Sequence, residues 1–258
     1  MTVPPPPLTS SPSPNHGYGQ PYKPEAICWH ICEGSGAGSL SWLTSPASGA
    51  SSNYLVMESG AIHVLVDPQA GQDGAAWANG AVNRPDMQNP LVASWVVAGV
   101  NPNLRTISIE AAGYTSYGRG GSLSRSQVAS LRWLTAWLCQ EFAIACDRTH
   151  VIRHAQIDSV NRANCPGYNE RTEMLPWIAE AAAMMAADGP PPDAGGEGVR
   201  WRITPTGAAE LVINFGGEVT AILGVNIQDV GLTGIGMDGA TYSRSVQANA
   251  FQPWVRNP

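Results

Sequence analysis

Residues 26–35 read AICWHICEGS, a run of β-formers with a histidine at its centre and a cysteine two places to either side. Side chains alternate across a strand, so Cys28, His30 and Cys32 share one face of the sheet this segment joins. An imidazole on a buried face needs partners. Two readings fit: a hydrogen-bonded core histidine between two small apolar thiols, or a metal ligand on a face of soft donors. The decapeptide alone leaves both open.

Other stretches supply the remaining strands. NYLVMESGAIHVLVD, residues 53–67, reads as two strands joined through Glu58-Ser59-Gly60, with glycine at the position needing positive φ. RTISIEAAG alternates Ile107 and Ile109 with Ser108 and Glu110, and leads into a glycine-rich loop, GYTSYGRGGS. The period then changes. Val128, Leu131, Leu134, Leu138 and Phe142 recur at helical spacing, and Ser124 with Gln127 has the spacing of a capping box. HVIRH is a short strand, and a last helix is expected over roughly residues 170 to 186, where Pro176 is tolerated in the first turns. The expected fold is α/β, a mixed central β-sheet flanked by helices, with a small β-rich C-terminal region.

Composition marks the boundaries. Residues 1–14 form a Pro/Ser-rich lead, expected to be extended and mobile. Residues 15–186 form the body, ADGPPPDAGGEG at 187–198 is a Pro/Gly linker, and 199–258 is the β-rich tail. A tail this short has a marginal core of its own. It reads either as a wall-binding or oligomerisation module or as an extension that stabilises the body.

Charged residues make up only 13% of the chain, against the usual ~25%, so the surface is built largely from Ser, Thr, Asn, Gln and Gly. The net charge of -6 lacks the basic stripe of a nucleic-acid binder. No basic n-region with an apolar h-region opens the chain, so no signal peptide is expected. No apolar run reaches the ~20 residues of a membrane span, so the chain is expected to be soluble and not to insert in a membrane. Five cysteines with no CxxC pair do not make a disulfide framework.

Chemistry gathers in three places. His30 lies in the first, Glu110 in TISIEAAG, and the third, RHAQIDSVNRANCPG, carries His154 at a strand end and Cys165 before Pro166-Gly167. Two imidazoles and one thiolate leave a fourth coordination position free, the pattern of a catalytic zinc rather than a structural one.

In this order AICWHICEGS, SSNYLVMESGAIHVLVD, AAWANG, TISIEAAG and RHAQIDSVNRANCPG resemble the zinc-dependent N-acetylmuramoyl-L-alanine amidases of type 2. That superfamily includes phage lysozyme-like amidases and peptidoglycan recognition proteins. The resemblance runs from about residue 13 to about residue 186. It implies Zn2+ held by His30, His154 and Cys165, with Glu110 as general base. Relatives that use a tyrosine instead place it where this chain has Ser52. The substrate implied is bacterial peptidoglycan, cut between N-acetylmuramic acid and L-alanine by a phage endolysin or bacterial autolysin acting at the wall. The alternative is a recognition protein that binds peptidoglycan without cutting it; such members commonly lack a zinc ligand.

The chain also departs from the pattern. Ala163 stands where relatives carry Lys or Thr to stabilise the oxyanion, which leaves neighbouring Arg162 as the candidate cation. Trp77-Ala78-Asn79-Gly80 replaces Trp-His-Ala-Gly, and the gap between His154 and Cys165 is long. Cys28, Cys139 and Cys146 read as core, and Cys32 as a non-ligand beside the site. His16, His63 and His150 read as ordinary structural or surface residues. Trp133 and Trp137 belong to the helix, and Trp77 is the tryptophan expected near the groove.

Overall fold

A computed structural model describes residues 2–17, 23–68, 75–80, 84–115 and 123–186, with the backbone of short strands between 198 and 256. The linker at 187–197 and most of the glycine-rich loop lie outside the described residues. Two compact units result, Met1–Ala194 and Gly195–Pro258.

In chain order the first unit contains β1 (Leu8–Ser10), β2 (Ala26–Ile31), α1 (Gly36–Leu43), β3 (Tyr54–Val56), β4 (Ile62–Val64), β5 (Thr106–Ala111), α2 (Arg125–Glu141), β6 (Val151–Arg153) and α3 (Leu175–Ala186). Its sheet has the order β1-β4-β3-β5-β2-β6. Strand β2 runs parallel to both neighbours, β3 is parallel to β5, and only β3 and β4 form an antiparallel pair. The sheet is mixed, as expected.

Every residue of β2 is buried, which is how a strand covered on both faces reads. On one face Ile27, Trp29 and Ile31 join Ile107 and Ile109 of β5 in a core with Leu131, Leu134 and Leu138 of α2 and Ile178 of α3. Trp29 Nε1 donates to Thr135 Oγ1 at 3.2 Å, tying the strand to the helix. Helix α2 starts on the expected capping box, the Ser124 and Gln127 side chains each taking the other's main-chain N–H. The opposite face carries two smaller apolar patches, one around Cys28, Trp95 and Ile152, the other around Leu43, Leu55 and Leu65. The site lies on this second face.

The β3–β4 hairpin turns at Gly60, φ +85°. A Cβ there would lie 2.8 Å from the Ser126 carbonyl oxygen, so α2 and the hairpin meet too closely for a side chain. Two expectations need correction. The lead is extended but packs on the body rather than standing free: β1 pairs in parallel with β4, Val3 is buried, and Val3 N–H donates to Gln140 Oε1 at 2.8 Å. Prolines preset an extended backbone and are tolerated beside an edge strand, and Val3 supplies an apolar anchor. The last helix does not run unbroken from 170. Glu170–Met174 form a wide π turn capped by Asn169, and the α-helix proper starts at Leu175. Pro176 lacks an N–H and crowds the carbonyl four residues back, so the turn before it widens.

The described strands of the second unit pair antiparallel. Strands β7 (Gly198–Ile203), β8 (Ala209–Phe215) and β9 (Glu218–Ile222) form one sheet. In the other, β11 (Thr241–Gln247) pairs with β10 (Gly231–Ile235), β12 (Ala250–Phe251) and β13 (Val255–Arg256).

Candidate metal centre

Parallel pairing aligns the site. The β2–β5 register sets His30 opposite Glu110, and the β2–β6 register sets Trp29 opposite Arg153. His154, one residue past β6, therefore comes alongside His30. Their ring centroids lie 4.4 Å apart. Cys165 returns on the loop after β6, where its carbonyl accepts the Ala155 N–H at 3.2 Å and its own N–H donates to the Arg162 carbonyl at 2.9 Å. The Cys165–Pro166 peptide is cis. One ligand atom each from His30, His154 and Cys165 falls within 4.8 Å of the others.

Burial sets the protonation of these groups. It pushes the His30 imidazole well below its ordinary pKa, with His154 adding repulsion, and lowers His154 as well. Both rings are held neutral, the form that donates a lone pair. Burial, with the Glu110 carboxylate second, raises the Cys165 thiol to about 12. The Glu110 carboxyl is pushed up to about 7 by burial, against the Cys32 thiol and Arg162, which pull it down. Its Oε1 lies 3.8 Å from His30 Nδ1, and its Oε2 is buried without a hydrogen-bond partner among the described residues. A largely buried carboxyl poised near neutrality beside metal-type donors suits proton transfer.

A groove of about 720 Å3 opens over these groups. It is lined by His30, His154, Cys165 and Glu110, with Cys32, Trp42, Trp77 and Arg162 around them. Arg162 is exposed and makes no ion pair among the described residues. At the rim Glu33, φ +53°, accepts the Thr115 N–H at 2.9 Å.

The other residues singled out from the sequence sort plainly. Ser52 is buried away from the groove, its hydroxyl against the Tyr54 and Ser108 carbonyls, both at 3.0 Å. Cys28 and Cys139 are core, and Cys146 packs against the core. Cys32 lies beside Glu110 and Ser39, where burial and the Glu110 carboxylate hold its thiol protonated, and stands outside the donor trio. His63 meets Ser11 and His150 meets Asp147, both in structural roles. Trp77 lines the groove as expected. Trp42 lines it too and was not anticipated, because nothing in GAGSLSWL announces helix α1. Asn79, in the WANG segment where the family pattern has alanine, was also missed; its carbonyl lies 3.1 Å from His154 Nε2.

The family model described as N-acetylmuramoyl-L-alanine amidase matches residues 20–168. Among solved structures, a selenomethionine derivative of AmpD is 18% identical with a TM-score of 0.48, over 69% of this chain and 94% of AmpD. The endolysin N-acetylmuramoyl-L-alanine amidase LysCS from Clostridium intestinale is 14% identical with a TM-score of 0.43, over 70% of this chain and 97% of LysCS. The hydrolase AmiA from Staphylococcus aureus, in complex with its ligand, is 16% identical with a TM-score of 0.46, over 70% of this chain and 82% of AmiA. No curated protein gives a significant match.

Proposed function

Because the chain belongs to the N-acetylmuramoyl-L-alanine amidase family, we propose that it hydrolyses the amide between N-acetylmuramic acid and L-alanine in peptidoglycan, with His30, His154 and Cys165 holding Zn2+. The observation that carries this reading is the convergence of two neutral imidazoles and one thiol within 4.8 Å, beside a largely buried carboxyl. Two nitrogens and a sulfur suit zinc, and three protein donors is the count of a catalytic site. A zinc ion held there supplies Lewis acidity, lowering the pKa of water toward ~7 and polarising an amide carbonyl.

The residues supply the rest. Glu110 takes the proton from the attacking water and delivers it to the departing amine nitrogen, so that a neutral amine leaves. Arg162, exposed at the groove, brings a positive charge to the carbonyl oxygen as it turns anionic. Trp42 and Trp77 offer indole surface to the glycan. In either setting, a phage endolysin or a bacterial autolysin, the polymer is the same. No helix among the described residues is long and apolar enough to cross a membrane.

The test is digestion of purified sacculi followed by mass spectrometry. The wild type is expected to release stem peptides with a free L-alanine amino terminus. Glu110→Gln should keep bound zinc while losing about 10^2- to 10^4-fold in turnover, and Arg162→Ala should lower kcat more than it changes KM. Absence of free L-alanine termini, with sacculi still bound, turns the reading to non-catalytic peptidoglycan recognition. Full activity in Glu110→Gln reassigns the base.

A further inference from the structure

The hydrogen bonds behind the two histidines run back to one residue. Thr106 Oγ1 donates its proton to the Pro102 carbonyl at 2.9 Å. That hydroxyl has no second proton, so its 2.7 Å contact with Asn79 Nδ2 makes the amide nitrogen the donor. The orientation of the Asn79 amide is thereby set by chemistry, with Nδ2 toward Thr106 and Oδ1 on the other side. Asn79 N–H donates to Asn103 Oδ1 at 2.7 Å, which holds the main chain as well. The residue is 1% exposed.

Two acceptors on Asn79 remain, and each has a histidine near it. The main-chain oxygen lies 3.1 Å from His154 Nε2. An acceptor-only atom there requires Nε2 to carry hydrogen. Asn79 Oδ1 and His30 Nε2 are both buried without a well-formed hydrogen bond among the described residues. The His30 ring centroid lies 4.4 Å from that of His154, whose Nε2 meets the Asn79 carbonyl, so His30 and Asn79 flank the same imidazole. Buried donors and acceptors rarely stay unpaired. Each is the complement the other lacks.

We propose that Asn79 is the positioning residue of the metal centre, fixing both histidines as Nε2–H tautomers so that each presents Nδ1 to the ion. One asparagine serves both rings, with its carbonyl for His154 and its amide oxygen for His30. His30 Nδ1 then lies on the Glu110 side, where the 3.8 Å separation from Oε1 already places it. The ion's identity rests on the reading above; the tautomers do not.

The experiment uses the full chain, 15N-labelled and metal-free, with long-range 1H–15N correlation to read the imidazole tautomers. His30 and His154 are both expected as Nε2–H. In Asn79→Ala, His30 should become a mixture while His154 keeps its tautomer, because its acceptor is main chain. Competition with a chromophoric chelator should show zinc affinity lowered about 10- to 100-fold. Asn79→Asp keeps an acceptor at Oδ1, and should restore the His30 tautomer and most of the zinc affinity. If Asn79→Ala does not fold, the wild-type tautomers and Asn79→Asp decide. Zinc bound by a wild type whose His30 is Nδ1–H overturns the proposal and leaves the metal centre standing. Unchanged tautomer and affinity in a folded Asn79→Ala overturn it too. Nε2–H tautomers in a chain that binds no zinc bear out the tautomer assignment and overturn the metal reading.

Discussion

Replacing Asn53 by alanine should cost more than any substitution of a polar loop residue would suggest. Asn53 lies just before β3 and is 3% exposed. Its Oδ1 accepts the Ser108 N–H at 2.9 Å and the Ser108 hydroxyl at 3.0 Å, and its Nδ2 donates to the Val66 carbonyl at 2.9 Å. Truncation removes three buried hydrogen bonds. At about 1 kcal/mol each the net loss is about 3 kcal/mol, and groups left desolvated raise it toward about 5 kcal/mol. For a body of this size that is a fall in Tm of roughly 6–20 °C. Urea unfolding followed by both tryptophan fluorescence and circular dichroism measures it, since two probes also reveal whether the second unit unfolds separately. Asn53→Asp keeps the acceptor for Ser108 but sets a second oxygen against the Val66 carbonyl in place of the amide donor, and should destabilise as well. A loss below about 1 kcal/mol in Asn53→Ala would refute the idea that this residue ties β3 to β5.

Two further outcomes are expected. Gly60→Ala forces a positive φ on an L-residue, about 1–2 kcal/mol, and puts a Cβ 2.8 Å from the Ser126 carbonyl oxygen. It should destabilise by more than about 2 kcal/mol, and an unchanged urea midpoint would show that α2 shifts freely. Glu170 accepts a hydrogen bond from Arg148 Nε at 2.6 Å, and that bond holds its carboxyl below the ordinary range. A carboxyl depressed on folding stabilises above its unfolded pKa of about 4.3, and that contribution disappears as pH falls through the folded value. Glu170→Gln should therefore lose stability at pH 7 and show a flatter decline between about pH 5 and pH 3; parallel pH–stability curves for the two proteins would count against the pairing.

What could be read from the chain divides along physical lines. Strand β2, the Gly60 hairpin and the capped helix α2 are each dictated locally, by alternation, by a positive φ and by a side chain three residues along. His30, His154 and Cys165 could be named from the motifs that resemble the amidase family, and the fold brings their donor atoms within 4.8 Å of one another. Helix α1 escaped notice because GAGSLSWL holds two glycines and no helical apolar period. Its start depends on the Ser35 cap and on Gly36 N–H reaching the Glu58 carboxylate at 2.7 Å, a tertiary partner. Trp42 was hidden with it. Asn53 and Asn79 carry no signal of their own in the sequence, since nothing local says that an asparagine will be buried against a strand far along the chain. The lead was misjudged for the same reason: Pro-rich composition describes the free chain, whereas Val3 finds its partners on α2.

Bringing His30 beside Glu110 takes two separate kinds of specification. Apolar alternation chooses the face, because Ile27, Trp29 and Ile31 must meet the helices together with Ile107 and Ile109. A slip of one residue would send His30 and Glu110 to opposite faces. A slip of two keeps the face and still fails, separating them by a further ~6.6 Å along the strand. Alternation cannot forbid that second slip; polar locks at the strand ends do. At one end Glu25 N–H bonds the Arg105 carbonyl at 2.7 Å, and the two side chains form an ion pair at 2.6 Å. At the other, Gly34 and Gly113 exchange main-chain hydrogen bonds at 2.9 and 2.8 Å, and Gln127 Nε2 donates to the Ala112 carbonyl at 2.7 Å. Asn53 holds Ser108 between them. The convergence of the donor trio with its carboxyl therefore depends on residues outside the trio, and a lock broken at one end leaves the register held from the other.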